Sequence, residues 1–174
     1  MYSFRTIAAA AVLLASIVVN AAVPAHHVRP GAVFVAKPAH FEPPEPGHSG
    51  PSGHRNHPVI ALDHPNHEGW VPVAVVSHNH PEHMQQHVAN AQHYDHHTHA
   101  EGGEVSTTGS QVALGHPTHV HIDDLHHVSH DSGLPRRLHP TDTHNLQHDV
   151  HHASGFTSNN ERYRTPTPPW RHHE

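Results

Sequence analysis

The sequence predicts a mostly disordered, low-complexity chain, with a signal-peptide helix at its start and short marginal helices near 81–97 and 142–153. Three observations predict it. Leu, Ile, Val and Phe make up 26 of the 153 residues from Ala22 onward, about 17%, which is below the level at which burial offsets the entropy of ordering. The chain carries 17 prolines, each fixing φ and removing a hydrogen-bond donor. It has no cysteine, so the disulfides that staple small core-poor secreted domains are absent, as are thiolate metal sites.

The elements follow in chain order. Residues 1–21 read as a signal peptide: one basic residue, Arg5, precedes an apolar run over Ile7–Val19, and small residues follow at Ala21 and Ala22. This places the mature protein outside the cell. No later apolar run exceeds Val71–Val76, so no stable membrane insertion is expected after cleavage. Residues 22–56 form a proline-rich extended segment that includes Phe41-Glu-Pro-Pro-Glu-Pro-Gly. The short runs Ala32–Ala36, Val59–Leu62 and Val71–Val76 are strand-like in composition, but proline or glycine boxes each one in, and no sheet is expected from them. A degenerate repeat links 57–101 to 109–153 at an offset of 52. Ile60-Ala-Leu-Asp-His-Pro-Asn-His67 matches Val112-Ala-Leu-Gly-His-Pro-Thr-His119, and six histidines align without gaps. The first marginal helix starts at Pro81 and passes through Met84, Val88 and Ala91. The second has Asp142 as cap, Leu146 and Val150 as its apolar positions and Gly155 as its stop. A polar tail fills 154–174.

Histidine dominates the chemistry. All 29 lie downstream of residue 25, and the formal charge runs from −6 with histidine neutral to +23 with every imidazole protonated. With an unperturbed pKa of about 6.5, most of that change falls within roughly one pH unit of neutrality. Lys37 is the only lysine, so neither a constitutive polybasic patch nor a nucleic-acid partner is expected.

Neutral imidazoles at such density point to divalent transition metals, zinc or copper, bound at several weak sites. The strongest cluster is His144, His148, His151 and His152, which a helix places at i, i+4, i+7 and i+8 along one face. A second joins His80, His83 and His87 to His93, His96 and His97. A third, His116, His119 and His121, suits an extended chain, with His119 and His121 on one side near Asp123 and Asp124.

No catalytic motif survives inspection, and no enzyme is expected. His83-Met-Gln-Gln-His87 has Met84 where a zinc protease needs its glutamate. Thr118-His-Val-His-Ile-Asp-Asp124 departs from the metallo-β-lactamase signature at Asp124, and His78-Asn-His80 lacks its nuclease surroundings. Arg136-Arg137 is a candidate dibasic processing site.

The leader, the short valine-and-proline runs and the abundant histidine resemble the histidine-rich secreted proteins of invertebrate cuticles, jaws and beaks. That resemblance implies a matrix role, with imidazoles coordinating metal or bonding to oxidised catechols, and extracellular-matrix components as partners. Two readings stand beside metal binding: a cuticle- or eggshell-like protein cross-linked through histidine, and, with cleavage after Arg137, the precursor of an acid-activated antimicrobial peptide.

Overall fold

The computed structural model describes residues 22–42, 54–78, 87–95, 110–115 and 117–156. The leader over 1–21 lies outside them. The expectation of a mostly disordered chain is overturned: the described residues build an eight-stranded antiparallel sheet and one helix. The strands are β1 (Val33–Ala36), β2 (Phe41–Glu42), β3 (His57–Ala61), β4 (Trp70–Ser77), β5 (Val88–Asn90), β6 (Gln111–Ala113), β7 (Thr118–His121) and β8 (His126–His127). The helix, α1, spans Pro140–Ser154. Both repeat segments contribute strands to this one sheet.

The sheet order is β2-β7-β4-β3-β1-β8, with β6 beside the end of β4 and β5 beside β6. The axis is β4. It pairs with β3 through Val59↔Val75 to Ala61↔Val73 and with β7 through Trp70↔His121 to Val73↔Thr118. Its last residues then pair with β6 through Val76↔Val112.

The three valine runs form the centre of the sheet because both of its faces are covered. Along β4, Val71, Val73 and Val75 enter one core cluster while Ala74 and Val76 enter the other. In β1, Phe34 and Ala36 face the first cluster, and Val33 faces the second. A strand buried on both sides reads as a continuous apolar run instead of an alternation. The N-terminal segment covers one face with Val23 and Val28, aided by Phe41 and Leu125. Tyr94, Leu138, Leu146 and Val150 cover the other. Among the 26 large aliphatic and Phe residues counted above, every described one except Val88 lies in or against these clusters. The composition underestimated the core because so few apolar residues are spent on the surface.

Proline does not break the sheet. Pro72 sits inside β4 with its carbonyl accepting from the Leu62 N–H at 2.9 Å, so its missing donor also faces Leu62, just past the end of β3. The Leu62 carbonyl, which that donor would have served, instead accepts from Gln147 Nε2 of α1 at 2.7 Å. A buried carbonyl left unsatisfied would be costly, and the helix supplies the partner.

The two helical expectations are both revised. Of the segment 81–97, residues 87–95 are described, and they form β5 followed by a 3₁₀ turn over Ala91–Tyr94. The strand forms because Val88–Asn90 pairs with Gln111–Ala113, a long-range ladder that overrides local preference. The segment expected to be a marginal helix over 142–153 is a 15-residue helix docked on the sheet. Its cap is His139, whose Nδ1 accepts from the Thr141 N–H at 3.2 Å, and Pro140 opens the first turn. Gly155, at φ 72°, closes it by donating to the His151 carbonyl. No helix among the described residues is long and apolar enough to cross a membrane.

Candidate metal centre

Helix α1 turns its apolar side, Leu146 and Val150, to the core and leaves His144, His148, His151 and His152 exposed. Of these four, the structure brings together His148 and His152. Their Nε2 atoms lie 3.1 Å apart, and their ring centroids 4.4 Å apart at 62°. A tetrahedral zinc with Zn–N bonds of about 2.0–2.1 Å separates two imidazole nitrogens by roughly 3.3 Å, so the pair is already spaced for one ion. His151 stands 5.8 Å from His152, centroid to centroid. Its Nδ1–H donates to the Phe156 carbonyl at 2.7 Å, which leaves Nε2 as its ligating nitrogen. His144, a turn earlier, is exposed and makes no ring contact among the described residues.

Behind the pair runs a chain of hydrogen bonds that fixes which nitrogen is free. Tyr94 is 1% exposed and donates its hydroxyl to Asp149 Oδ2 at 2.9 Å. The other carboxylate oxygen, Oδ1, accepts from His148 Nδ1–H at 3.3 Å. His148 Nε2 therefore carries the lone pair and accepts from His152 Nε2–H. A carboxylate on the far nitrogen is the arrangement that orients ligating histidines and raises their basicity. Burial, and after it the hydrogen bond and charge of Asp149, push the Tyr94 hydroxyl pKa well above its ordinary value, so Tyr94 stays a donor. No sequence signal marks this link, because Tyr94 and Asp149 are 55 residues apart.

The extended set behaves differently. His121 uses both nitrogens: Nε2 donates to the Glu68 carbonyl at 3.1 Å, and Nδ1 accepts from the Asp123 N–H at 3.3 Å. Its ring packs edge-on against Trp70. No lone pair remains for a metal. His119 donates from Nδ1 to the Glu42 carbonyl at 3.2 Å. Asp124 is engaged with His40 Nδ1 at 2.5 Å. His87 precedes β5 and His93 lies in the 3₁₀ turn after it, so no helix face joins them. His80, His83, His96, His97 and His116 lie outside the described residues. Among the described residues, no group of three or more His, Cys, Asp or Glu side chains is arranged to hold a metal ion. The best-formed site therefore offers two protein ligands.

Burial lowers the pKa of His119, with the Glu42 carbonyl and charge opposing the shift. A base whose folded pKa is lowered has an unfolded state that takes up its proton first. Its contribution to stability is therefore complete above about pH 6.5 and shrinks as pH falls below that value. The urea midpoint should drop between pH 7.5 and 5.5, and His119→Gln should flatten that drop. Equal pH slopes for the two proteins would show that His119 does not contribute.

Comparison of the chain with protein-family models, with curated proteins and with solved structures finds no match.

Proposed function

We propose that the protein is an extracellular binder of divalent transition metals, zinc or copper, and that the His148–His152 pair is its best-formed site. The observation that carries this reading is the 3.1 Å approach of the two Nε2 atoms, backed by the Asp149 carboxylate and the Tyr94 hydroxyl. The leader-like start supports the extracellular setting. Metal would replace the proton held between the rings: His152 moves its N–H to Nδ1, on the solvent side, and both Nε2 lone pairs turn to the ion. Two protein ligands leave the other coordination positions to water or to donors from another molecule, which makes the site weak and exchangeable. Such a site suits buffering or sequestration of metal better than permanent retention.

Zinc titration of the full mature chain by calorimetry tests this. His148→Gln and His152→Gln should each weaken the tightest binding about tenfold or more, and Asp149→Asn by about tenfold, the usual scale for an outer-shell partner. Affinity should also fall as the medium is made acid, because protonated imidazole cannot ligate. Unchanged affinity in both glutamine variants would overturn the assignment.

A further inference from the structure

A second site is carried by charge. Where the N-terminal segment meets the β1–β8 edge, a cleft of about 520 Å³ is lined by His26, His27, Arg29, His127, Arg136 and Arg137, with Phe34 at its floor. Two stretches of chain distant in sequence, 26–34 and 127–137, assemble it. His26 and His27 sit in a short 3₁₀ turn with their rings 4.3 Å apart, edge to face. Arg29 Nε donates to the His26 carbonyl at 3.0 Å, which holds its guanidinium at the rim. His127 enters from β8, where it pairs with Phe34; its ring lies 5.7 Å from that of Phe34 and 5.6 Å from that of His27. Arg136 and Arg137 are pinned from the far side. The Arg136 carbonyl accepts from the Val33 N–H at 2.9 Å, Arg137 bridges to Ala32, and the Leu138 N–H donates to the Gly31 carbonyl.

The gathering of like charges needs a reason. Elsewhere in the described fold imidazoles stand beside carboxylates, as in His40–Asp124, His67–Glu68, His121–Asp123 and His148–Asp149. This cleft has no acidic lining residue, and no carboxylate among the described residues lies within ion-pair distance of Arg29 or Arg137. The crowding registers on His127, whose pKa is lowered by partial burial and then by the charges of His27 and Arg136. Like charges held at one concave site are relieved by an anion. Guanidinium forks match tetrahedral oxyanions, and the tilted rings of His27, His127 and Phe34 offer aromatic surface to a flat apolar body. The volume is that of a small-molecule site.

We propose that this cleft binds a small ligand carrying a phosphate or sulfate group on an aromatic body, with the oxyanion held by Arg29 and Arg137 and the ring laid against His27 and His127 over Phe34. The backbone around Arg136-Arg137 is tied at both flanking peptide groups, to Val33 and to Gly31.

Calorimetry on the full metal-free chain at pH 7.5 tests the proposal with three probes: inorganic phosphate, phenyl phosphate and phenyl sulfate. One site is expected, with phenyl phosphate at least tenfold tighter than inorganic phosphate. Phenyl sulfate, with one charge fewer, should fall between them. Arg29→Gln/Arg137→Gln should weaken phenyl phosphate at least tenfold with an unchanged circular dichroism spectrum, and His148→Gln/His152→Gln should leave it unaltered. Imidazole NMR of the unmutated protein reads the site independently of any variant. Shifts should concentrate on His26, His27 and His127. Shifts spread evenly over the 29 histidines, or no binding at millimolar phenyl phosphate, would overturn the proposal.

Discussion

Leu146→Ala should lower stability by about 2–5 kcal/mol, the range for truncating a fully buried leucine. Leu146 is 1% exposed and sits among Ile60, Leu62, Ala74, Val76, Tyr94 and Val150, the cluster that seals one face of the sheet. Helix α1 reaches that cluster through only two large apolar side chains, Leu146 and Val150, so losing one removes half of its apolar anchorage. For a domain whose whole stability is of order 5–15 kcal/mol, such a loss is visible in any denaturation curve. The unmutated chain should unfold cooperatively by far-ultraviolet circular dichroism, and Leu146→Ala should move the midpoint sharply down. His144→Ala, on the exposed side of the same helix, should shift it by no more than about 0.5 kcal/mol. The metal site should follow the packing: when α1 loosens, Tyr94 no longer holds Asp149, and zinc affinity should fall although every ligand is intact. A gradual, non-cooperative melt of the unmutated chain, or equal midpoints for the two variants, would mean that α1 does not dock.

Parts of this molecule are legible in the sequence and parts are not, for physical reasons. The valine runs of β1, β3 and β4 carry strand composition. What hides the sheet is that both its faces are buried, so the period-2 pattern disappears. Proline at 58 and 72 argues against central strands, and only the tertiary contact from Gln147 to the Leu62 carbonyl shows how one of them is accommodated. Total apolar content misleads because it counts residues without asking how completely they are used. Val88–Asn90 has no local strand signal, and its ladder partner lies more than 20 residues away. In the site, the four-residue spacing of His148 and His152 is visible in the chain. Their orienting partners Tyr94 and Asp149 are not, because a hydrogen bond across 55 residues leaves no local trace. The cationic cleft is less legible still. His26, Arg29, His127 and Arg137 meet only because β8 pairs with β1 and Arg137 bridges to Ala32.

Gly31→Ala is the second substitution expected to act strongly, and its test separates two sources of cost. Gly31 has φ +81°, a conformation that costs an L-residue about 1–2 kcal/mol. It also sits at a crossing of three elements. Its N–H donates to the carbonyl of Ala61, the last residue of β3, and its carbonyl accepts from the Leu138 N–H at the approach to α1. A methyl group added at Gly31 would lie 2.2 Å from Thr143 Oγ1. That hydroxyl has little room to move, because it donates to the His139 carbonyl at 3.0 Å and Thr143 is buried in the first turn of α1. Overpacking of this kind costs a further 1–3 kcal/mol or so, so Gly31→Ala should destabilise by roughly 2–5 kcal/mol in all. Removing the obstructing side chain with Thr143→Ala should recover the steric part and leave the conformational part. In a double-mutant cycle the pair should therefore be less destabilised than the sum of the single changes, by about 1 kcal/mol or more. Strict additivity would mean that α1 and the β1 entry do not touch at this point. A neutral Gly31→Ala would mean that the chain does not hold the left-handed turn that brings the N-terminal segment, with His26, His27 and Arg29, back over the sheet.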